Sequence, residues 1–248
     1  MKKTVFLSAG HGGSDSGAVA LGLKEKDINL NIMLTCRDEL ERHGFKVICS
    51  RTKDENDPVT SEVKEANASG AEVALSFHAN AGKGDGSETY YYSASKEGKK
   101  LAELCEKQTK AIGQNSRGVK TGDKLWFISG TKMVAVLCEC AFIDNDKDNN
   151  IIDTVAEQKK FGVAYAKAVL EYYGVTYKTK TTATKKYYPR YSGTTGSIVT
   201  ALNSLKISST FANRTKIAKA NGIKDYSGTA AQNTKLLNLL KQGKLIKP

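Results

Sequence analysis

The sequence predicts an α/β protein with a mostly parallel sheet flanked by helices, followed by a small helical C-terminal domain. Two observations predict this fold class. Short apolar runs alternate with helical stripes through residues 1–174, which is typical of a parallel sheet. The charge balance then changes abruptly. Residues 1–174 hold 24 lysines and arginines and 25 aspartates and glutamates, whereas residues 175–248 hold 14 lysines and arginines and one acidic residue. We therefore expect two modules with different tasks.

Apolar runs in the first module are its predicted strands: 3–9, 45–49, 73–77, 88–92, 125–128 and 134–141. Longer segments are its predicted helices: 25–43, 59–69, 94–112 and 155–173. The first helix carries apolar side chains at i+4 spacing, from Ile28 to Leu40, and Gly44 ends it. Because strands and helices alternate, most of the sheet is expected to be parallel.

Residues 176–186 predict an exposed linker, because TYKTKTTATKK has no hydrophobic periodicity. The expected domains on either side of the linker are residues 1–175 and 187–248. The second domain is predicted to contain helices separated by Gly/Ser turns: 197–205, 211–221 and 230–240.

Several classes of protein are excluded. The longest apolar runs, such as 133–138, are far shorter than the roughly 20 residues that cross a bilayer, so no membrane span is expected. The apolar run 5–7 breaks at Ser8 before the hydrophobic part of a signal peptide has formed, so synthesis in a cytoplasm without a signal peptide is expected. Five cysteines without Cys-x-x-Cys spacing indicate neither a disulfide framework nor a thiolate zinc site.

Two of the three histidines stand where predicted strands end. His11 follows the first strand in a glycine-rich loop, and His78 ends the third strand. Ligands bind to open α/β sheets at this edge. Glu25 begins the first predicted helix, from which its carboxylate can reach the same edge. Two imidazoles and one carboxylate, with a fourth position open, are the ligand set of a catalytic zinc.

Each of these residues taken alone has a simpler explanation. His11 could be a turn residue, His78 a capped core histidine, and Glu25 a carboxylate favoured at a helix start. The joint arrangement favours the metal site, because both histidines end neighbouring strands. His43 precedes Gly44 at a helix end and is interpreted as a helix cap outside the metal site.

Glu139 lies inside an apolar strand, between Cys138 and Cys140. Both cysteines are expected to be buried as small apolar residues, and an unpaired buried carboxylate costs several kcal/mol. A nearby zinc would explain its place, because Glu139 would then take a proton from the attacking water as general base and return it to a leaving amine. A structural ion pair with a lysine or arginine is the alternative.

Four separated motifs resemble one known family. The segments TVFLSAGHGGSDSGA, Glu25, SFHAN and VLCECAFIDN occur in the order found in the zinc-dependent N-acetylmuramoyl-L-alanine amidases of the third amidase family. The resemblance covers about residues 3–173. It implies a six-stranded sheet, a zinc ion held by His11, Glu25 and His78, and Glu139 as the catalytic carboxylate. It also implies cleavage of the amide between N-acetylmuramic acid and the L-alanine of the stem peptide in bacterial peptidoglycan.

The resemblance also implies supporting residues near the substrate. Arg51, Asn67 and Asn80 match positions where the family shows an arginine and asparagines. Relatives often carry an arginine shortly before that first asparagine, whereas this sequence has Glu62 and Lys64, so a local ion pair is expected to be rearranged. Trp126 could pack in the core or line a sugar groove, and core packing is favoured.

The basic C-terminal module resembles wall-attachment modules of some endolysins from Gram-positive bacteria and their phages. Its implied role is binding to peptidoglycan and to anionic wall polymers, with Tyr187, Tyr188 and Tyr191 available to stack on sugars. The alternative is that the lysines simply solvate a helical bundle. Nucleic acid is not the expected partner, because no nucleic-acid-binding motif is present.

The expected function is that of a phage-type endolysin: an amidase made in the host cytoplasm that acts on the cell wall after release. Two other classes remain open from the residues alone. A zinc peptidase that cuts within the stem peptide would use similar ligands. A non-enzymatic protein that binds a polyanion would use the basic module. The oligomeric state, the bacterial host and the wall ligand are left open.

Overall fold

The computed structural model describes residues 2–179 and 186–248, so most of the predicted linker 176–186 lies outside the described residues. The chain divides into two compact units, Met1–Lys178 and Thr179–Pro248. The first unit is built on a six-stranded sheet with helices on both faces. The α/β fold class predicted from the sequence is confirmed.

The strands of this sheet are β1 (Thr4–Ala9), β4 (Lys46–Cys49), β5 (Val73–Asn80), β6 (Ser87–Tyr91), β7 (Ser116–Thr121) and β8 (Val134–Phe142). A separate hairpin is formed by β2 (Val19–Ala20) and β3 (Leu23–Lys24). The order across the sheet is β4-β1-β5-β8-β6-β7, and each neighbouring pair is parallel except β8 with β6. The strands β1 and β5, which carry the two histidine motifs, are therefore direct neighbours.

The helices of the first unit are α1 (Glu25–Arg42), α2 (Val59–Ala68), α3 (Lys96–Lys110), α4 (Trp126–Gly130), α5 (Asp146–Asn149) and α6 (Val155–Tyr172). Helices α1, α3 and α6 pack together on one face of the sheet, and α2 packs with α4 on the other. The central strands are buried on both faces, since Val5 and Leu7 enter one apolar cluster and Phe6 the other. This explains why they appear in the sequence as continuous apolar runs.

One predicted strand is wrong. Residues 125–128 do not form a strand, because Trp126–Gly130 is the short helix α4. Phe127 and Ile128 are adjacent and both buried, which a helix permits but a strand with one buried face does not. The sixth strand is instead β7, which lies at the edge of the sheet and has no fully buried side chain to give an apolar signal.

The second unit contains three helices in its described residues: α7 (Ile198–Ser204), α8 (Phe211–Ala220) and α9 (Ala230–Lys241). Each predicted helix is confirmed to within one residue at either end. Hydroxyl side chains cap their N-termini, and Thr229 forms a full capping box with Gln232. Apolar residues from all three helices, including Leu202, Ile217 and Leu236, form one core. In the described parts of both units, no helix combines the length and apolar character that a membrane crossing requires.

Candidate metal centre and active site

The sheet edge brings His11, Glu25 and His78 together. His11 follows β1 closely, His78 lies near the end of β5, and Glu25 is the first residue of α1. Glu25 Oε1 lies 3.2 Å from His11 Nε2 and 2.9 Å from His78 Nδ1. One ligand atom from each residue falls within 4.8 Å of the others. Three donors at this spacing can share one metal ion.

The local backbone delivers Glu25 to the histidines. The β2–β3 hairpin turns the chain back, and the Glu25 amide donates to the Ala18 carbonyl at 2.9 Å. In return, the Ala18 amide donates to Glu25 Oε2 at 2.9 Å and the Ala79 amide donates to Oε1 at 3.2 Å. Backbone donors from the loop before β2 and from the end of β5 therefore fix the carboxylate between the two imidazoles.

His11 is held in an unusual conformation. Its φ is 65°, in the left-handed region that costs a non-glycine residue of the order of 1–3 kcal/mol and persists only where the surroundings enforce it. Asp15 Oδ2 lies 2.8 Å from Nδ1, which turns Nε2 toward Glu25. A carboxylate on the far nitrogen of a histidine is the usual second contact of a metal ligand.

Glycines leave room for this cluster. A Cβ at Gly10 would lie 2.3 Å from His78 Nε2, so any side chain there would displace the imidazole. A Cβ at Gly17 would lie 2.6 Å from Glu25 Oε2, and Gly17 also has a φ of 61°. The glycine-rich loop after β1 is thus required by close packing around the ligands.

The hydrogen bonds within the cluster shift the pKa values of all three groups. The hydrogen bond with Glu25 raises the pKa of His11 to about 9, although burial opposes the shift. Burial also opposes the shift of His78, but its hydrogen bond with Glu25 raises the His78 pKa. Burial would raise the pKa of Glu25, yet the hydrogen bonds with both histidines hold it well below its ordinary value. Glu25 is therefore ionised, as a metal ligand must be.

Glu139 lies on β8 directly opposite His78 in the sheet register. Its Oε2 atom is buried and has no hydrogen-bond partner among the described residues. Burial raises the pKa of Glu139 to about 7, against the opposing charge of His78. Cys138 and Cys140 on either side are fully buried, as predicted. Among the described residues, Glu139 forms no ion pair with a lysine or arginine, so the structural alternative considered above is not found.

Arg51 and Asn67 contact backbone groups of their own chain. The Arg51 side chain is buried and donates to the carbonyls of Ala9 at 2.9 Å and Lys26 at 2.8 Å. It thereby ties the end of β1 to the start of α1. Asn67 donates to the Gly130 carbonyl and accepts from the Lys132 amide, both at 2.8 Å. These contacts position the loops of the site.

Asn80 ends β5 and donates to Glu88 Oε1 at 3.0 Å. Glu88 is buried opposite Glu139 in the sheet register and also pairs with Arg117 at 2.8 Å and with Lys120. The amide nitrogen of Asn80 is therefore engaged by this charged cluster. The predicted role of Asn80 in substrate binding stays a prediction.

Trp126 is not in the core, contrary to the favoured expectation. Its side chain is 54% exposed, because it begins α4 on the side away from the buried Phe127 and Ile128. Trp126 lines a cavity of about 390 Å³ together with His11 and His78. The sugar-groove alternative for Trp126 agrees with this position.

Two residues of the same cavity were missed as site candidates. Asp57 and Glu62 both line it, and both are buried although they carry carboxylates. Burial raises the pKa of each. Glu62 drew attention in the sequence only as a departure from the family pattern, and nothing in the sequence indicated that Asp57 is buried.

This open α/β sheet, with a His–Glu–His cluster and the half-buried, unpaired carboxylate of Glu139 at one edge, has the architecture of a metal-dependent hydrolase. Residues 5–171 match the family model described as N-acetylmuramoyl-L-alanine amidase. The chain belongs to this family, and it is an amide hydrolase that acts on peptidoglycan.

Individual relatives agree with this assignment. The chain is 34% identical to the endolysin of Bacillus phage SPP1 over 80% of its own length and 76% of that protein. It is 36% identical to the N-acetylmuramoyl-L-alanine amidase LytC of Bacillus subtilis, over 69% of this chain and 36% of LytC. The catalytic domain of the amidase CwlV from Paenibacillus polymyxa superposes with a TM-score of 0.65 at 31% identity, covering 70% of this chain and 99% of that domain.

Proposed function

We propose that this chain is a zinc-dependent endolysin that cleaves the amide between the lactyl group of N-acetylmuramic acid and the L-alanine of the stem peptide. The observation that carries the proposal is the convergence of His11, Glu25 and His78 at one sheet edge. These residues would hold the zinc. Their donor set of two nitrogens and one carboxylate oxygen leaves a coordination position open, as catalytic zinc sites do. Zinc, when bound, supplies a Lewis acid that polarises a carbonyl and makes water more acidic.

Glu139 is the proposed general base. Its Oε2 atom has no competing hydrogen bond in the described residues. Glu139 is the register partner of His78 on the neighbouring strand β5. With its pKa raised to about 7, Glu139 can accept a proton from water and donate it to the departing amine of L-alanine. Its Oε2 atom is buried, whereas the residue as a whole is half-buried, so the other carboxylate oxygen can be reached from the site.

Asp15 and Arg51 are proposed as positioning residues. Asp15 fixes the orientation of the His11 ring through Nδ1, and Arg51 fixes the backbone that carries His11. Asn67 similarly anchors the end of α4, the helix that carries Trp126. We propose that Trp126 contacts the glycan beside the reacting amide.

Residues 187–248 are the proposed wall-binding module, joined to the catalytic module 1–175 by the linker 176–186. The module holds ten lysines and arginines against the single acid Asp225, which favours anionic wall polymers as ligands. Tyr187 is 48% exposed and can stack on a sugar. Tyr188 and Tyr191 pack against the helical core instead, so they are less available than the sequence suggested. We propose that the enzyme is made in the cytoplasm and reaches the wall after release.

Digestion of purified Gram-positive peptidoglycan tests the catalytic proposal. The full chain is incubated with the walls, with and without a zinc chelator, and new amino termini are compared with new reducing sugar ends. We expect new L-alanine amino termini without reducing ends, lost on chelation and restored by zinc. Termini of other stem residues would identify a stem peptidase, and activity unchanged by complete zinc removal would refute the metal assignment.

A further inference from the structure

The cavity beside the metal ligands has a mixed lining that the proposed catalytic step does not use. One part is apolar and includes Val59, Leu125 and Leu137. Another part carries the carboxylates of Asp57 and Glu62. Both carboxylates belong to the chain segment that enters and forms α2, whereas the metal ligands come from the loop after β1, the start of α1 and β5. The cavity therefore has an acidic wall of its own.

Both carboxylates are removed from water. Glu62 is 2% exposed and Asp57 is 9% exposed. Neither forms an ion pair with a lysine or arginine in the part of the chain that the structure describes. The Oδ2 atom of Asp57 is buried without any hydrogen-bond partner among the described residues. The hydroxyls of Ser50 and Ser8 serve as donors to Asp57 and Glu62, but Oδ2 of Asp57 still lacks one. A buried acceptor without a donor is costly, so this wall has an unfilled place for a hydrogen-bond donor.

Trp126 indicates what kind of molecule brings that donor. Its exposed indole lines the same cavity and offers a flat apolar surface to a sugar ring. The indole lies close to Gly130, where a Cβ would be 3.2 Å from Trp126 Cε2, and Asn67 donates to the Gly130 carbonyl. An aromatic face beside two acceptors fits an amino sugar, which combines an apolar ring face with a nitrogen donor.

We propose that Asp57 and Glu62 form a subsite that accepts hydrogen bonds from the C2 nitrogen of the muramic acid ring that packs on Trp126. This inference rests on the proposed function. The C2 nitrogen is adjacent on the ring to the carbon that bears the lactyl group, so it is the sugar nitrogen nearest to the scissile amide. Ionised carboxylates are pure acceptors, and they pair more strongly with an ammonium group than with a neutral amide.

The subsite has a consequence for substrate choice. A muramic acid that has lost its acetyl group carries an ammonium at C2, and the two carboxylates compensate that charge. The enzyme is therefore expected to cleave de-N-acetylated walls as well as, or better than, acetylated walls. When a carboxylate of the acidic wall is neutralised, the ammonium group loses a counter-charge in a site removed from water. The variant therefore selectively loses activity on the de-N-acetylated substrate.

The test compares kcat/KM on three wall preparations: native acetylated peptidoglycan, the same walls after enzymatic de-N-acetylation, and those walls chemically re-acetylated. The wild-type chain is compared with Asp57→Asn, Glu62→Gln and the exposed-site control Glu65→Gln, which lies on the same helix. We expect each subsite variant to lower the ratio of de-N-acetylated to acetylated kcat/KM by about tenfold or more. The Glu65→Gln control should keep the wild-type ratio. On re-acetylated walls, each subsite variant should again have the kcat/KM that it has on native acetylated walls.

The ratio is independent of the amount of folded enzyme, and two separate variants guard against loss of folding by one of them. An unchanged ratio in both variants overturns the subsite. A second set of walls differs only in amidation of the stem peptide. If the effect of the variants follows stem amidation and not sugar acetylation, the carboxylates bind the peptide, and the sugar assignment is overturned. Failure of the wild-type chain to release L-alanine termini from any wall would refute the proposed function itself.

Discussion

The two units of the chain use charge in opposite ways. In the first unit, carboxylates are buried near a sheet edge among histidines and apolar strands, as Glu25, Asp57 and Glu62 show. In the second unit, the buried residues that the structure describes are apolar apart from Tyr226, whose hydroxyl bonds to Arg214 and Asn233. Its lysines lie outside this core. Burial of a charge costs desolvation free energy, so buried charges are expected where a reaction uses them, whereas exposed charges suit recognition of a polymer.

Removal of one metal ligand should have the largest effect on the first unit. His78→Ala is expected to abolish zinc retention and activity, because two remaining ligands hold the ion too weakly. Metal content after gel filtration and wall digestion measure both. His43→Ala is the matched control, since His43 contacts the Glu39 carbonyl and the Lys178 amide, away from the cluster. A His78→Ala protein with stoichiometric zinc and full activity would remove His78 from the site.

Glu139→Gln should separate chemistry from metal binding. The amide keeps the shape of the side chain but cannot accept the proton, so we expect zinc to be retained and the rate to fall by roughly two to four orders of magnitude. Single-turnover digestion and zinc analysis check the two halves of this prediction. Glu103→Gln, at an exposed position of α3, should behave as wild type. Normal turnover by Glu139→Gln would end its assignment as general base.

Neutralising surface charge in the second unit should weaken wall binding without affecting the chemistry. We expect the full chain with Lys216→Gln, Lys219→Gln and Lys224→Gln to bind Gram-positive walls roughly tenfold more weakly, since each exposed ion pair contributes about 0.5 kcal/mol. Pelleting with walls across a salt series measures this loss. The same change at Lys96, Lys110 and Lys159 of the first unit is the control. Equal weakening by both triple variants would show that net charge matters and that the second unit has no special role.

Loss of a helix cap in the second unit should have the smallest effect. Thr229→Ala removes the capping box at the start of α9 and is expected to cost about 1 kcal/mol of stability. Hydrogen exchange of the α9 amides reports on this unit alone within the full chain. Thr234→Ala, exposed in the middle of the same helix, is the control. A catalytic rate on small soluble substrates that changes with Thr229→Ala would contradict the separation of tasks between the units.

The parts of the fold that are apolar on a regular period could be predicted from the sequence. Helix α1 and the central strands have buried faces that determine their patterns, and His11, Glu25 and His78 stand at ends of these elements. Strand β7 could not be predicted, because its segment SRGVKT has one apolar side chain, whereas the other edge strand, β4, keeps the apolar run VIC. The exposure of Trp126 and the burial of Phe127 could not be predicted either, because their helix α4 is too short to show a period.

The acidic wall of the cavity could not be predicted for a different reason. A glutamate on an amphipathic helix is ordinarily assigned to solvent, and Glu62 is buried only because α2 packs with α4 over the same sheet face. Asp57 lies before that helix in a stretch with no periodic signal. Burial of such groups depends on tertiary packing, which no local pattern in the sequence encodes.

The central claim is that one sheet edge holds a zinc ion between His11, Glu25 and His78. Crystals of the full chain grown with zinc, measured on both sides of the zinc absorption edge, test it most directly. The account predicts one strong anomalous peak at this edge, in contact with the two imidazoles and the Glu25 carboxylate and with Glu139 nearby. A peak at other residues of the first unit, with this cluster keeping its direct His–Glu hydrogen bonds, would contradict it.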